Sequence, residues 1–448
     1  MSREFYKVRP VEIKPERFIM AVVPGSKSIT NRALLLAAMA EGESIIKNCM
    51  SSEDAAVFLQ ALKDLGFEIR ESDAPGSAIV KNKDITIKGC GGDIPVKKAD
   101  IYVGSAGTAA RFLLAMLAFS DGEYFIDSSD QMKARPMEPL IKALTGAGAI
   151  VECTEEEGHF PLRVKGNAGV FPERISVNIE KSSQFLSALL IAAAAYGKKV
   201  IISASGSHGL AYVEMSASMI KDFGVNVKSG LFGSQYDPFR GWQFEGGEKL
   251  KGREYMVEPD MSAAAYFYAA AAILGCKALV PGVRLNMLQG DTEFLKLLEK
   301  MGCTLCEGEE GVVLTGPEGG ELKSPGIVDM GAYSDQALTL AALAPFVNGA
   351  AAIKGIAHIR LQECDRIAAI VKNLTALGET CEEREDGVIM RPGELHGAEL
   401  ESFGDHRVAM AFALCGLRID GVTIKDPDCC RKTFAEYFEV LEDAVNGD

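Results

Sequence analysis

Pro24-Gly25-Ser26-Lys27-Ser28-Ile29-Thr30-Asn31-Arg32-Ala33-Leu34-Leu35-Leu36-Ala37-Ala38 sets a Gly-Ser turn directly against a run of strong helix formers. A helix N-terminus offers free N–H groups and a partial positive charge, so it attracts anions. Lys27, Arg32 and the hydroxyls between them make this start a candidate site for a phosphate or carboxylate. A nucleotide P-loop requires Gly-x-x-x-x-Gly-Lys-Ser/Thr, and its two Gly positions hold Ala21 and Ser26 here. A nucleotide P-loop is therefore not expected here.

The same design returns along the chain. A small or acidic residue opens an Ala/Leu-rich helix at Ser28, Ser105, Ser182, Ser262, Ser334 and Asp405, a period of roughly 70–80 residues. A second, amphipathic helix follows each one. In five copies it ends near a Gly and turns into a strand, over Phe58–Arg70, Leu140–Glu152, Met219–Lys228, Leu295–Cys306 and Ala369–Glu382. The sixth, Phe434–Val445, runs to the end of the sequence. Short runs such as Ile85–Lys88, Tyr124–Ile126, Val200–Ser203 and Gly311–Leu314 have strand character. The opening helices are apolar all round (Phe185 to Ala195 carries no charge), so they are expected to be buried.

Six α/β copies predict two similar domains of three copies each. Their buried helices would point N-termini at one end, and two such ends would form a cleft rich in positive helix dipoles. The expected boundaries are 1–21 plus 255–448 for one domain and 22–254 for the other. The polar, Gly-rich Gly241–Glu254 is the expected crossover.

The bulk properties narrow the classes. The chain has 448 residues, 48% hydrophobic and 24% charged, which fits a globular protein. A net charge of −15 argues against general binding to nucleic acid or anionic membrane. No secretory pattern or membrane-length apolar run is present, so the expected location is the cytoplasm. Eleven Cys are scattered, and Cys303-x-x-Cys306 lacks a second ligand pair, so free thiols at a helix-to-strand junction are expected rather than zinc.

The candidate site gathers polar residues from the helix starts: Lys27, Ser28, Arg32, Gly107, Thr108, Arg111, Ser182, Ser183, Gln184, Asp335, His406 and Arg407. The run Arg360–Arg366 and Lys432 join them. Singly, each has a plain alternative: Lys27 and Arg32 as solvated charges, Ser182 and Ser183 as helix caps, Asp335 as a cap, Arg360–Arg366 as an ion-paired face. Repetition favours the shared site, because equivalent places in successive copies gather under one geometry. No Cys–His or Ser–His pair is arguable as a nucleophile with its base. The pattern reads as cations for two anionic groups, with Asp335 and Glu363 for proton transfer.

These motifs resemble the EPSP synthases, the 3-phosphoshikimate 1-carboxyvinyltransferase family of enolpyruvyl transferases, from about Ile13 to the C-terminus. PGSKSITNRALLLAA is similar to the family's opening signature, GSAGTAAR to its second motif, SSQFLSALL to its third, and GDHRVAM with RKTF to its closing ones. The resemblance implies two domains of three βαβαββ-type units, an inside-out α/β barrel. It also implies transfer of the enolpyruvyl group from phosphoenolpyruvate to the 5-hydroxyl of shikimate 3-phosphate, without metal or cofactor, by a monomer. Ser28, Arg32, Ser182, Ser183 and Tyr212 would hold shikimate 3-phosphate, with Gln184 between the substrates. Lys27, Arg366, Arg407 and Lys432 would hold phosphoenolpyruvate. Gly107, Gln131, His358, Gln362 and His406 complete the implied binding set. Asp335 would take the 5-hydroxyl proton, Glu363 would protonate and later deprotonate C3, and Lys27 would help phosphate leave.

Some positions depart from the family pattern. Where this chain has Gln131 the family usually has an Arg that contacts the phosphoenolpyruvate phosphate, with Lys133 or Arg135 as candidate substitutes. Gln362 replaces a Lys, Gly209 a Ser, Ser105 an Asn and Phe112 a Pro. Two lost cations predict a raised Michaelis constant for phosphoenolpyruvate. The alternatives are a UDP-N-acetylglucosamine enolpyruvyl transferase, which is expected to carry a Cys in the Asp127–Pro136 region where none stands, and a non-catalytic paralogue.

Overall fold

The computed structural model describes residues 3–446 except 77, 207, 208 and 235. It divides into two compact units: 1–24, 76–81 and 258–448 form the first, and 25–75 and 82–257 the second.

Each of the six Ala-rich segments is a helix start. Lys27–Met39, Gly107–Ala118 and Gln184–Tyr196 belong to the second unit. Met261–Leu274, Ala337–Leu343 and His406–Ala413 belong to the first. Every residue of Met261–Leu274 is buried, as an all-round apolar helix demands. Alanine there costs no side-chain entropy and lets neighbouring helices approach closely.

Five sheets share one strand order. In the second unit Lys98–Tyr102 runs parallel to Glu123–Asp127, which pairs antiparallel with Leu162–Lys165 and then Ile150–Cys153. The buried helix Gly107–Ala118 crosses between the parallel pair, and Glu138–Gly146 leads into the hairpin. The sheet Arg174–Asn178, Lys199–Ser205, Asp237–Glu245, Lys228–Ser234 repeats this plan. All the sheets are open, and none closes into a barrel among the described residues.

The opening copy of each unit takes its first strand from elsewhere in the sequence. Glu254–Met256 lies parallel to Glu43–Cys49 in the second unit, and Phe18–Met20 lies parallel to Lys277–Leu279 in the first. The last copy of the first unit is completed by Phe5–Lys7, antiparallel to Thr423–Lys425.

Gly241–Glu254, expected as a crossover, continues as strand to Glu245, because Trp242 and Phe244 alternate into the core behind the glycine. Cys303 is buried and Cys306 exposed at a helix-to-strand junction, and both are free thiols. Among the described residues no helix is long and apolar enough to cross a membrane.

Candidate active site

In the second unit the three buried helices bring their N-terminal residues together. Arg32 lies one turn into Lys27–Met39 and is 2% exposed. Its Nε donates to Ser216 Oγ at 2.7 Å, Nη1 to the Ser28 carbonyl at 2.8 Å, and Nη2 to the Tyr212 carbonyl at 3.1 Å and Ser187 Oγ at 3.4 Å. The guanidinium also lies over the Phe112 ring at 5.2 Å. Those acceptors are all neutral, so burial lowers the Arg32 pKa to about 10. A buried cation held by neutral dipoles is prepared for an anion. Lys27 Nζ rests 2.6 Å from the buried Asp54 carboxylate.

The second helix start carries two more guanidiniums. Arg111 is 3% exposed and Arg135 8% exposed. A Cβ on Gly107 would lie 2.8 Å from Arg135 Nη1 and 2.9 Å from Arg111 Nη1, so a side chain there would push these guanidiniums away from the helix N-terminus. Arg111 donates to Gln184 Oε1 at 2.5 Å and sits over the Phe185 ring at 5.3 Å. Gln184 Nε2 in turn donates to Thr108 Oγ1 at 3.4 Å. Arg135 Nε is buried without a hydrogen-bond acceptor. Lys133 is committed elsewhere, to Glu155 at 3.2 Å and Asp127 at 3.6 Å. Gln131 sits on the short helix Asp130–Lys133, half-buried.

Ser182 acts as a cap, its Oγ accepting from the Gln184 N–H at 3.3 Å, whereas Ser183 makes no cap bond. Ser183 Oγ would stand 2.6 Å from a Cβ on Gly209, whose φ is +64°. Serine at 209 would therefore be strained and would collide, which explains the glycine there. Tyr212 follows on the helix Leu210–Asp222 and is half-buried.

In the first unit the candidate residues form one ion network centred on Arg366, 1% exposed at the start of Arg366–Ala376. Arg366 Nε donates to Asp405 Oδ2 at 2.8 Å, Nη2 to Glu363 Oε2 at 2.7 Å, and Nη1 to Asp335 Oδ1 at 3.3 Å. Arg407 Nη2 donates to Asp335 Oδ2 at 2.9 Å, and Lys432 Nζ lies 3.2 Å from Glu363 Oε1. Burial alone would lower the Arg366 pKa, but Asp405, Glu363 and Asp335 outweigh it and raise it. Asp405 is fully buried and also caps its helix, accepting from the Arg407 N–H at 2.9 Å. The sequence marks Asp405 only as a helix start, and its place under Arg366 is a feature the linear spacing hides.

His358 lies on the 3-10 turn Ala357–Leu361, with Nε2 2.7 Å from Ser334 Oγ, next to Asp335. Gln362 follows, half-buried, and His406 is almost fully buried on its helix. No group of three or more His, Cys, Asp or Glu able to hold a metal occurs among the described residues.

The structure thus gathers buried guanidiniums at helix starts in one unit and, in the other, the carboxylates of Asp335 and Glu363 held by Arg366, Arg407 and Lys432. A family model described as EPSP synthase (3-phosphoshikimate 1-carboxyvinyltransferase) matches residues 20–441. The chain is 40% identical over 435 residues to a 3-phosphoshikimate 1-carboxyvinyltransferase of Trichormus variabilis, covering 96% of each. It is 38% identical to the chloroplastic enzyme of Arabidopsis thaliana, covering 97% of this chain and 84% of that one. A solved EPSP synthase of Acinetobacter baumannii superposes with a TM-score of 0.78 at 26% identity, over 99% of this chain and 98% of that chain. The protein is thus an enolpyruvyl transferase of the shikimate pathway. Within that class the chain belongs to the EPSP synthase family.

Proposed function

We propose that the named side chains carry out enolpyruvyl transfer from phosphoenolpyruvate to the 5-hydroxyl of shikimate 3-phosphate in the following roles. The observation that carries the reading is the tie of two carboxylates, Asp335 and Glu363, to one buried guanidinium, Arg366. Arg32, with Ser28, Ser182, Ser183 and Tyr212, receives shikimate 3-phosphate, an anionic group of which supplies the charge that the neutral acceptors of Arg32 lack. Gln184 spans the two substrates.

Arg366, Arg407 and Lys432 hold the carboxylate side of phosphoenolpyruvate. Its phosphate meets Lys27, the Gly107 helix N-terminus and Arg135. We assign that last role to Arg135 rather than to Gln131, since its guanidinium is buried beside Gly107 with a nitrogen awaiting an acceptor. The phosphate cation is then present, and the Michaelis constant for phosphoenolpyruvate is expected to be ordinary.

Asp335 removes the 5-hydroxyl proton as that oxygen bonds to C2, and Glu363 gives a proton to C3. The tetrahedral adduct then expels phosphate, helped by Lys27, while Glu363 recovers a C3 proton. Lys432 and Arg366, one on each oxygen, fix the Glu363 carboxyl for that exchange.

The test is phosphate release with shikimate 3-phosphate against UDP-N-acetylglucosamine as acceptor. Release is expected with the first alone, and Glu363→Gln should lower kcat by at least about a hundredfold. Release by Glu363→Gln at the parent rate would remove Glu363 from the mechanism.

A further inference from the structure

We propose that Asp291 is a positioning residue for the base. It is a buried carboxylate that fixes Gln336, the chain neighbour of Asp335, and its negative charge keeps Asp335 able to accept a proton. The proposal rests on reading Asp335 as the base.

Asp291 lies on the turn Gly290–Thr292 and is 3% exposed. Its Oδ1 accepts from Gln336 Nε2 at 3.0 Å and from Ser262 Oγ at 3.3 Å. Gln336 is fully buried, and its Oε1 accepts from Thr339 Oγ1 at 3.2 Å. Gln336 is therefore gripped at both ends of its amide, and the backbone turn that presents Asp335 cannot rotate without breaking that grip. The turn bearing Asp291 is itself fixed. Gln289 Nε2 donates to the Pro259 carbonyl at 2.8 Å and to Glu258 Oε2 at 3.2 Å, and Gln289 Oε1 accepts from the Met261 N–H at 3.0 Å.

The electrostatic half of the argument starts from Asp335. Its two oxygens each meet a guanidinium, Arg366 at 3.3 Å and Arg407 at 2.9 Å. Two cations alone would make it a poor proton acceptor. Of the groups that act on Asp291, Asp335 and Asp260 disfavour its charge, and Arg407 and the Gln336 amide favour it. Burial and Asp335 together raise the Asp291 pKa, the mark of two carboxyls that resist ionising at once. By the same mutual repulsion, the charge on Asp291 raises the proton affinity of Asp335. Tyr266, buried on the neighbouring helix, has its pKa raised by burial and adds no charge.

The test compares kcat against pH, from about pH 5 to 9, for the parent, Asp291→Asn and Asp335→Asn. Asparagine keeps an acceptor oxygen for Gln336 and Ser262 and removes the charge. Asp291→Asn is expected to move the acid limb down by about one pH unit and to lower the neutral kcat about tenfold, with both Michaelis constants within about twofold. A parent-like profile and kcat in Asp291→Asn, with Asp335→Asn inactive, would overturn the proposal and leave the base assignment standing. A fully active Asp335→Asn would overturn the base assignment and the proposal with it. If Asp291→Asn does not fold, infrared titration of the carboxyls in the parent protein decides. Two-step titration of the pair supports the coupling, and a single independent step for each overturns it.

Discussion

Arg135 shows how a single side chain can be misjudged from its letter alone. In Gln131-Met-Lys133-Ala-Arg135-Pro attention falls on the glutamine, because a cation is expected there. Three-dimensional packing puts Arg135, not Lys133, against the Gly107 helix start. Replacing Arg135 by Ala should raise the Michaelis constant for phosphoenolpyruvate about ten- to a hundredfold, the worth of a charge-assisted contact. Gln131→Ala should change it less than about threefold, and steady-state kinetics on the two variants checks the pair. Glu379 offers a second test at this scale. It is 5% exposed, its Oε2 lacks a partner, and burial raises its pKa to about 7. The unfolded chain releases this proton near its ordinary, lower pKa, so the native state holds more protons between the two values. Stability attributable to this group therefore falls as pH rises toward 7 and stays low above it. Glu379→Gln should stabilise the protein by about 1–3 kcal/mol at pH 8 and by almost nothing at pH 5, read from denaturant melts.

The Ala-rich helices were legible because an element without a polar face has one place to go. The second helices and the longer strands were also legible, since their periodicity spans enough residues to be distinctive. The three-residue strands Phe18–Met20 and Glu254–Met256 carry no such period, and their partners lie far away in sequence. The polar helix starts were legible as a set; which acid meets which cation, such as Asp405 with Arg366, depends on turns that no spacing encodes. One element-level rule emerges only from coordinates. Where the last strand of a copy ends, a glycine passes the C-terminus of the buried helix: Gly89 beside Ala40, Gly166 beside Ser120, Gly316 beside Ala271. After Gly89 and Gly166 the following N–H satisfies a terminal helix carbonyl, Cys90 donating to Ala38 at 2.9 Å and Asn167 to Ala118 at 3.1 Å, whereas Pro317 after Gly316 has no N–H to give. A Cβ at 166 would stand 2.1 Å from the Ser120 carbonyl oxygen, which is backbone and cannot swing aside. Gly166→Ala should cost about 2–3 kcal/mol in a denaturant melt. Gly146→Ala, whose Cβ would meet nothing within 4 Å, should be neutral or slightly stabilising.

Over the whole chain, the two units differ in how their sequence closes. The second is nearly one continuous run whose final strand, Glu254–Met256, returns to its first copy beside Glu43–Cys49. A fragment spanning 22–257 should therefore melt cooperatively on its own by circular dichroism; a featureless, non-cooperative transition would show that it needs the remainder. The first unit has no such economy of order. Phe18–Met20 pairs with Lys277–Leu279, and Phe5–Lys7 with Thr423–Lys425. On a ribosome Phe18–Met20 must stay unpaired until Leu279 has been made, and Phe5–Lys7 until Lys425. The helix starts at Lys27, Gly107 and Gln184 can therefore be in place while translation continues, but the Asp335, Glu363 and Arg366 network waits for Asp405 and Lys432. Under the roles proposed above, a stalled or truncated chain would then display a binding unit without its proton-transfer partner, and premature termination would cost chemistry before it costs recognition.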